Sequence, residues 1–149
     1  MPYCQLFYHI VTATKNRQPL LTAQVEPIIY DHLRSKAREL EAIVYALNGT
    51  EDHIHLLVSI PAKIAVATFV GKVKAVASTK FNKTHPHLAP FFWQSEYGVF
   101  SFDRKRLPNY MDYVERQKEH HREGSFIRSL ELCEEKRNGI AEEKEAYEF

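Results

Sequence analysis

The sequence predicts an α+β fold, an antiparallel sheet with helices on one face and one added helix. Three observations carry it. Segments of period 2 and period 3.6 run in the order strand–helix–strand–strand–helix–strand. The second and third strand segments are joined through Asn48-Gly49, a hairpin signal. A further amphipathic segment, opened by Pro108, follows the fourth strand.

The elements follow in order. YCQLFYHIVTATK (3–15) is rich in β-branched and aromatic residues and reads as a long strand. NRQP turns the chain. Residues 21–42 read as a helix, with Thr22 as N-cap and Val25, Ile28, Ile29, His32, Leu33 and Leu40 as its apolar stripe. IVYALNGT (43–50) is a strand, and a histidine-bearing strand follows the hairpin. Residues 64–83 form a second helix with Val66, Phe69, Val70, Val73 and Ala77 facing the core, while Lys72 and Lys74 project elsewhere. FFWQSEYGVFSF (91–102) reads as a strand bent near Gly98, in which Phe92, Val99 and Phe100 are core residues. Residues 108–123 form the third helix. This order is the ferredoxin-like split βαβ pattern. Residues 1–130 make one domain, and 131–149 an acidic, helical C-terminal tail.

Composition narrows the function. Glycine is scarce, and neither a phosphate-cradling nor a dinucleotide-binding glycine motif occurs. Cys4 and Cys133 fit no metal or redox spacing and read as reduced thiols. The N-terminal stretch lacks a signal-peptide layout, and the apolar run from Leu56 to Val70 is broken by Pro61 and Lys63, so the expectation is a cytoplasmic protein without a membrane partner. The net charge of +1 is unevenly spread: residues before 131 carry 17 bases and 12 acids. A mildly basic body permits a nucleic-acid partner.

The motif that raises a chemical question is GTEDHIHLLVSIP (49–61). Alternation puts His53, His55, Leu57 and Ser59 on one face, with the two imidazoles roughly 6.6–6.8 Å apart at Cα. That spacing lets both rings converge on one ion, and equally suits two histidines on a wet edge. On the third helix, a 100° step sets Leu107, Tyr110, Met111 and Val114 on the buried stripe. Tyr113 and Gln117, one turn apart, fall on the flank beside it. A glutamine carbonyl is an acceptable third ligand for Mg²⁺ or Mn²⁺ beside two histidines. The doublet His120-His121 offers a rival ligand, since His120 falls on the same flank.

HIH on a central strand followed by YVERQ on a later helix resembles the HUH-superfamily single-tyrosine transposases, the small enzymes of the simplest bacterial insertion sequences and their REP-associated relatives. YHIVTATKNRQPLL, FVGKVKAVASTKF and FWQSEYGVFSFDRKRLPNYMDYVERQKEHHREGSF extend the likeness over about residues 3–130. The resemblance implies that His53, His55 and Gln117 bind the metal and that Tyr113 is the nucleophile. It implies attack on a backbone phosphate of hairpin-bearing single-stranded DNA, giving a 5′-phosphotyrosine and a free 3′-hydroxyl, then reversal by another 3′-hydroxyl. It also implies a homodimer, in which the tyrosine helix can serve either subunit. Each step exchanges one phosphodiester for another, so no nucleotide cofactor is needed.

Candidate DNA contacts are Lys15, Asn16 and Arg17, Lys72 and Lys74, and the cluster Arg104, Lys105 and Arg106. Trp93 and Tyr97 can stack on unpaired bases. His85 and His87 repeat the H-x-H spacing in a proline-containing loop and read as surface residues. Two rivals stand: a zinc-type hydrolase, needing a third nitrogen, thiolate or carboxylate ligand, and a non-catalytic nucleic-acid-binding module on the same sheet.

Overall fold

The computed structural model describes residues 3–133. Four strands form one antiparallel sheet: β1 (Phe7–Ala13), β2 (Ile43–Gly49), β3 (His53–Ser59) and β4 (Gly98–Phe102), in the order β2-β3-β1-β4. The two central strands, β1 and β3, are buried almost throughout because both of their faces are covered. On one face, Ile10, Ile54, Leu56 and Val58 pack under α1 (Glu26–Glu39) and α2 (Val66–Thr84). On the other, Ala46 and Leu57 pack under Tyr110, Tyr113 and Val114 of α3 (Leu107–Glu115) and under Leu130. The added helix therefore lies across the sheet from the other two.

Register decides which side chains meet. Ala13 pairs with His53, Val11 with His55, and His9 with Leu57. Paired residues in an antiparallel ladder share a face. His9, His53 and His55 thus all point toward α3. The β2–β3 hairpin is tight at Gly49, where a Cβ would lie 2.1 Å from the His53 carbonyl oxygen.

Several elements are shorter than the sequence pattern predicts. The first strand spans Phe7–Ala13, because Thr14 and Lys15 turn aside to bond with Asp52 and Phe92. Thr22 does not cap α1 itself. Its hydroxyl accepts the Val25 N–H at 3.3 Å in the turn that leads into the helix. The fourth strand begins only at Gly98, and residues 91–97 form a loop whose hydrogen bonds go elsewhere. Asn82 clamps Phe91 through both its backbone groups at 2.9 and 2.7 Å, and Gln94 N–H donates to Ala13 at 2.9 Å. Phe91 is the core residue of that loop; Phe92 and Val99 are exposed, contrary to expectation, and Phe100 is half-buried against His9.

The third helix is also interrupted. α3 ends at Glu115, Arg116 leaves helical geometry (φ −98°, ψ 20°), and α4 (Gln117–Glu123) follows. The Asn48 side-chain amide donates to the Glu115 carbonyl at 2.9 Å, and a side chain inserted into the ladder breaks it there. After Gly124, which ends α4 at φ 72°, the chain returns through a 3₁₀ turn at Arg128–Glu131. Of the expected acidic tail, only residues 131–133 fall within the described part; its expected helix lies outside the described residues.

Candidate active site

His53 and His55 enter the space under α3 with their outer nitrogens already engaged. His53 Nδ1 lies 2.8 Å from the Asp52 carboxylate and 2.9 Å from the Thr50 hydroxyl. His55 Nδ1 lies 2.7 Å from Nε2 of His9. Such contacts set ring orientation and tautomer, leaving both Nε2 atoms aimed inward. Burial, reinforced by the neighbouring His55, holds His9 well below the usual imidazole range, so it is a neutral support.

The inward nitrogens meet a carboxylate. Glu131 Oε1 is 3.1 Å from His53 Nε2, and Oε2 is 2.8 Å from His55 Nε2. His121 Nε2 also contacts Oε1. Tyr113 donates its hydroxyl to Oε2 at 3.0 Å and accepts the Ile127 N–H at 2.8 Å. Gln117 Oε1 sits 3.3 Å from His53 Nε2, and its Nε2 is buried. One carboxylate thus touches the two strand histidines, the tyrosine and a helix histidine.

Electrostatics follow from this arrangement. Burial lowers His53, but hydrogen bonds to Asp52 and Glu131 outweigh it and push the ring up to about 9. His55 is lowered, burial prevailing over Glu131. Glu131 is held well below the usual carboxylate range: burial opposes this, and hydrogen bonds from His53 and His55 overcome it. Burial, then the Glu131 charge, pushes Tyr113 well above the usual phenol range, although Ile127 and Gln117 hydrogen bonds act the other way.

The donor set fits a divalent cation. One ligand atom from each of His53, His55, His121 and Glu131 lies within 4.8 Å of the others. Two of these imidazoles have their second nitrogens tied, as metal ligands do, and the carboxylate supplies charge. Gln117 borders the same space with its carbonyl.

The other sequence candidates are placed as follows. Tyr113 is not on a half-exposed flank: it is 3% exposed, packed with Tyr110 and Val114. His120 stacks on the Tyr113 ring, centroids 4.8 Å apart, and its Nδ1 meets Ser125, so it stays outside the converging group. Lys15, Asn16 and Arg17 form an exposed turn just after Ala13, at the histidine end of the sheet, with Asn16 and Arg17 at positive φ (55° and 54°). Arg17 reaches the Asp52 carboxylate at 3.6 Å. Lys72 is exposed on α2. Lys74 does not project: it is 8% exposed, with Nζ on the Gln94 carbonyl at 2.6 Å. Arg104, Lys105 and Arg106 precede α3 at the opposite end of the sheet, where Phe102 pairs with Phe7. Six residue steps along β1 separate Phe7 from Ala13, so this cluster stands roughly 20 Å from the histidines.

Trp93 and Tyr97 are half-buried and line a groove of about 770 Å³ with Phe92, Lys15 and Asn16. His85 stacks on Phe81 and His87 is exposed, as surface residues do. Cys4 and Cys133 are free thiols, the first exposed and the second buried. Among the described residues, no helix is long and apolar enough to cross a membrane.

Sequence reasoning missed His9 and Glu131, and within the doublet it favoured His120 over His121. His9 shows no spacing motif; only the β1–β3 register brings it to His55. His121 adjoins the residue singled out, and Glu131 read as the start of a solvated tail.

The chain is similar to several known proteins. A family described as "Transposase IS200 like" matches residues 3–117. The ISDra2 transposase TnpA of Deinococcus radiodurans is 25% identical over 118 residues, which cover 76% of this chain and 84% of that protein. The transposase for insertion sequence element IS200 of Salmonella typhimurium is 27% identical over 125 residues, covering 80% and 82%. A solved structure assigned as a Deinococcus radiodurans R1 transposase superposes with TM-score 0.63 at 25% identity, covering 78% of this chain and 95% of that one. A REP-associated tyrosine transposase bound to a REP hairpin shares the fold, with TM-score 0.61 at 13% identity and coverage of 85% and 76%.

Proposed function

The chain belongs to the IS200-like transposase family, and from that premise we propose that it cleaves and rejoins single-stranded DNA through a covalent link to Tyr113. The observation that carries this reading is the convergence of the Tyr113 hydroxyl and the inward nitrogens of His53 and His55 on one carboxylate, within 2.8–3.1 Å. A nucleophile and a cation site then serve the same phosphate.

His53, His55 and Gln117 would hold the Mg²⁺ or Mn²⁺ ion. Polarisation of the scissile phosphate and stabilisation of the leaving oxygen are the chemistry that such an ion supplies when bound. The Tyr113 oxygen forms the new bond to phosphorus, the bond from phosphorus to the 3′-oxygen breaks, and that oxygen leaves as a hydroxyl with the proton the phenol gives up. The Ile127 N–H, donating to the phenol oxygen at 2.8 Å, steadies the charge that develops there. Asp52 and His9 keep the imidazoles in register. A cavity of about 320 Å³, lined by Thr14, Arg17, Glu96 and Glu131, supports the approach of a DNA backbone from the end of β1.

The groove of Lys15, Phe92, Trp93 and Tyr97 supports binding of unpaired nucleotides, with aromatic faces for bases and a cation for phosphate. The substrate is single-stranded DNA with hairpin ends. A homodimer is part of the proposal: β2 and β4 are the two edges of the sheet, which supports edge-to-edge pairing of copies.

The test is incubation with labelled hairpin-bearing single-stranded DNA and Mn²⁺, then denaturing electrophoresis. The expected result is a covalent protein–DNA adduct that disappears in Tyr113→Phe. Cleaved ends without an adduct would refute the phosphotyrosine route and favour hydrolysis; binding without either product would leave only a DNA-binding module.

A further inference from the structure

We propose that Glu131 and His121 are ligands of the cation site of His53 and His55, and that Glu131 simultaneously holds the Tyr113 hydroxyl. On this assignment the segment after the tyrosine helix completes the active centre and couples its two halves. The inference rests on the proposed reading of His53, His55 and Tyr113.

Geometry is the first support. Oε1 of Glu131 faces His53 and His121, while Oε2 faces His55 and Tyr113. Each oxygen therefore lies between groups that a cation and a nucleophile must reach. The His55 Nε2 atom is buried and lies 2.8 Å from the carboxylate.

Charge is the second. Glu131 is paired with three histidines: His53, His55 and His121. A buried carboxylate surrounded by imidazoles is balanced either by ring protons or by a cation that replaces them, and the cation leaves all the rings neutral.

The third is that the fold holds Glu131 in place. Leu130 is fully buried against α3, and Ile127 is tied to the Tyr113 oxygen. Beyond it, the Leu132 carbonyl runs so close to Gly98 that a Cβ there would lie 1.9 Å away. Anchored residues thus flank the carboxylate on both sides.

The ligand class follows. Three imidazoles and one carboxylate favour first-row transition ions over Mg²⁺, so Mn²⁺ should bind more tightly than Mg²⁺, and Co²⁺ more tightly still.

The experiment titrates the full chain with Mn²⁺ without DNA, following the free-ion EPR signal, and counts bound imidazoles by pulsed EPR with ¹⁵N-histidine. The expected result is at least about tenfold weaker binding in Glu131→Ala and in His121→Ala. The imidazole count should fall from three to two in His121→Ala. Wild-type affinity in both variants, with two imidazoles throughout and binding lost in His53→Ala, overturns the inference and leaves the transposase reading standing. Unchanged binding in His53→Ala and His55→Ala overturns the metal reading itself. Should Glu131→Ala fail to fold by circular dichroism, His121→Ala, with a partly exposed side chain on α4, decides through the imidazole count.

Discussion

Substitution of Gly98 by alanine should damage the active centre from behind. Gly98 opens β4, and its missing side chain makes room for the returning C-terminal segment. An alanine Cβ would lie 1.9 Å from the Leu132 carbonyl oxygen and 3.0 Å from its carbon. Both are backbone atoms, which no rotamer change can remove. Restoring even a 3.0 Å approach displaces that carbonyl by about 1.1 Å, and Glu131 is the preceding residue. Its contacts to His53, His55 and Tyr113, now 2.8–3.1 Å, would stretch to about 4 Å, beyond hydrogen-bond range. A misplacement near 1 Å costs on the order of 100-fold in rate. Overpacking should also remove about 1–3 kcal/mol of stability. Single-turnover formation of the Tyr113–DNA adduct reads the first effect, and Mn²⁺ affinity should fall with it. Gly71→Ala is the control: its Cβ meets nothing within 4 Å, and the methyl should stabilise α2 by roughly 0.5–1 kcal/mol without altering Mn²⁺ affinity. If Gly98→Ala forms adduct at the parental rate with parental Mn²⁺ affinity, Leu132 does not position Glu131 and the reasoning fails.

Other consequences can be checked directly. In the metal-free protein His53 is raised from 6.5 to about 9, so its stabilising contribution is complete below pH 6.5 and is lost as pH climbs through 9. Chemical denaturation in EDTA should show stability falling across that window, with a flatter profile in Asp52→Asn. Adding Mn²⁺ at pH 8 should raise Tm, because the folded site binds the ion with neutral rings, and chelation should reverse the gain. Lys74→Met should cost about 1–3 kcal/mol by leaving the Gln94 carbonyl without its buried donor, yet leave the salt dependence of DNA binding intact. Lys15→Ala should instead reduce the log–log salt slope for single-stranded DNA by about 0.7; identical slopes would take Lys15 off the DNA path.

The fold was largely readable because its signals are local. Alternation in β1 and β3, the Asn48-Gly49 hairpin and the stripes of α1 and α2 each specify an element without reference to the rest. The histidine pair was readable for the same reason, since period 2 alone puts His53 and His55 on one face. Where local pattern failed, tertiary partners had intervened. Phe92 looked like a strand residue until Asn82 claimed Phe91 and made the segment a loop. Lys74 looked like a solvent-facing basic residue, but it follows Val70 by one turn on the core stripe, and loop carbonyls receive its amine.

The tyrosine helix shows how far such reasoning reaches. A single continuous wheel put Tyr113 and Gln117 on a flank, with His120 as the next histidine along it. Asn48, on a strand some seventy residues earlier in the chain, takes the Glu115 carbonyl and breaks that wheel. Beyond the break, His121 faces the strand histidines, and His120 turns against the Tyr113 ring. Glu131 then enters through a turn whose position depends on Leu130 finding the core and Leu132 finding Gly98. Neither contact leaves a spacing in the sequence. The residues nearest the proposed chemistry were therefore of two kinds: those fixed by strand period, which the chain announces, and those delivered by packing, which only the folded molecule reveals. A search confined to H-x-H and Y-x-x-x-Q finds the first kind and stops before the carboxylate that joins them.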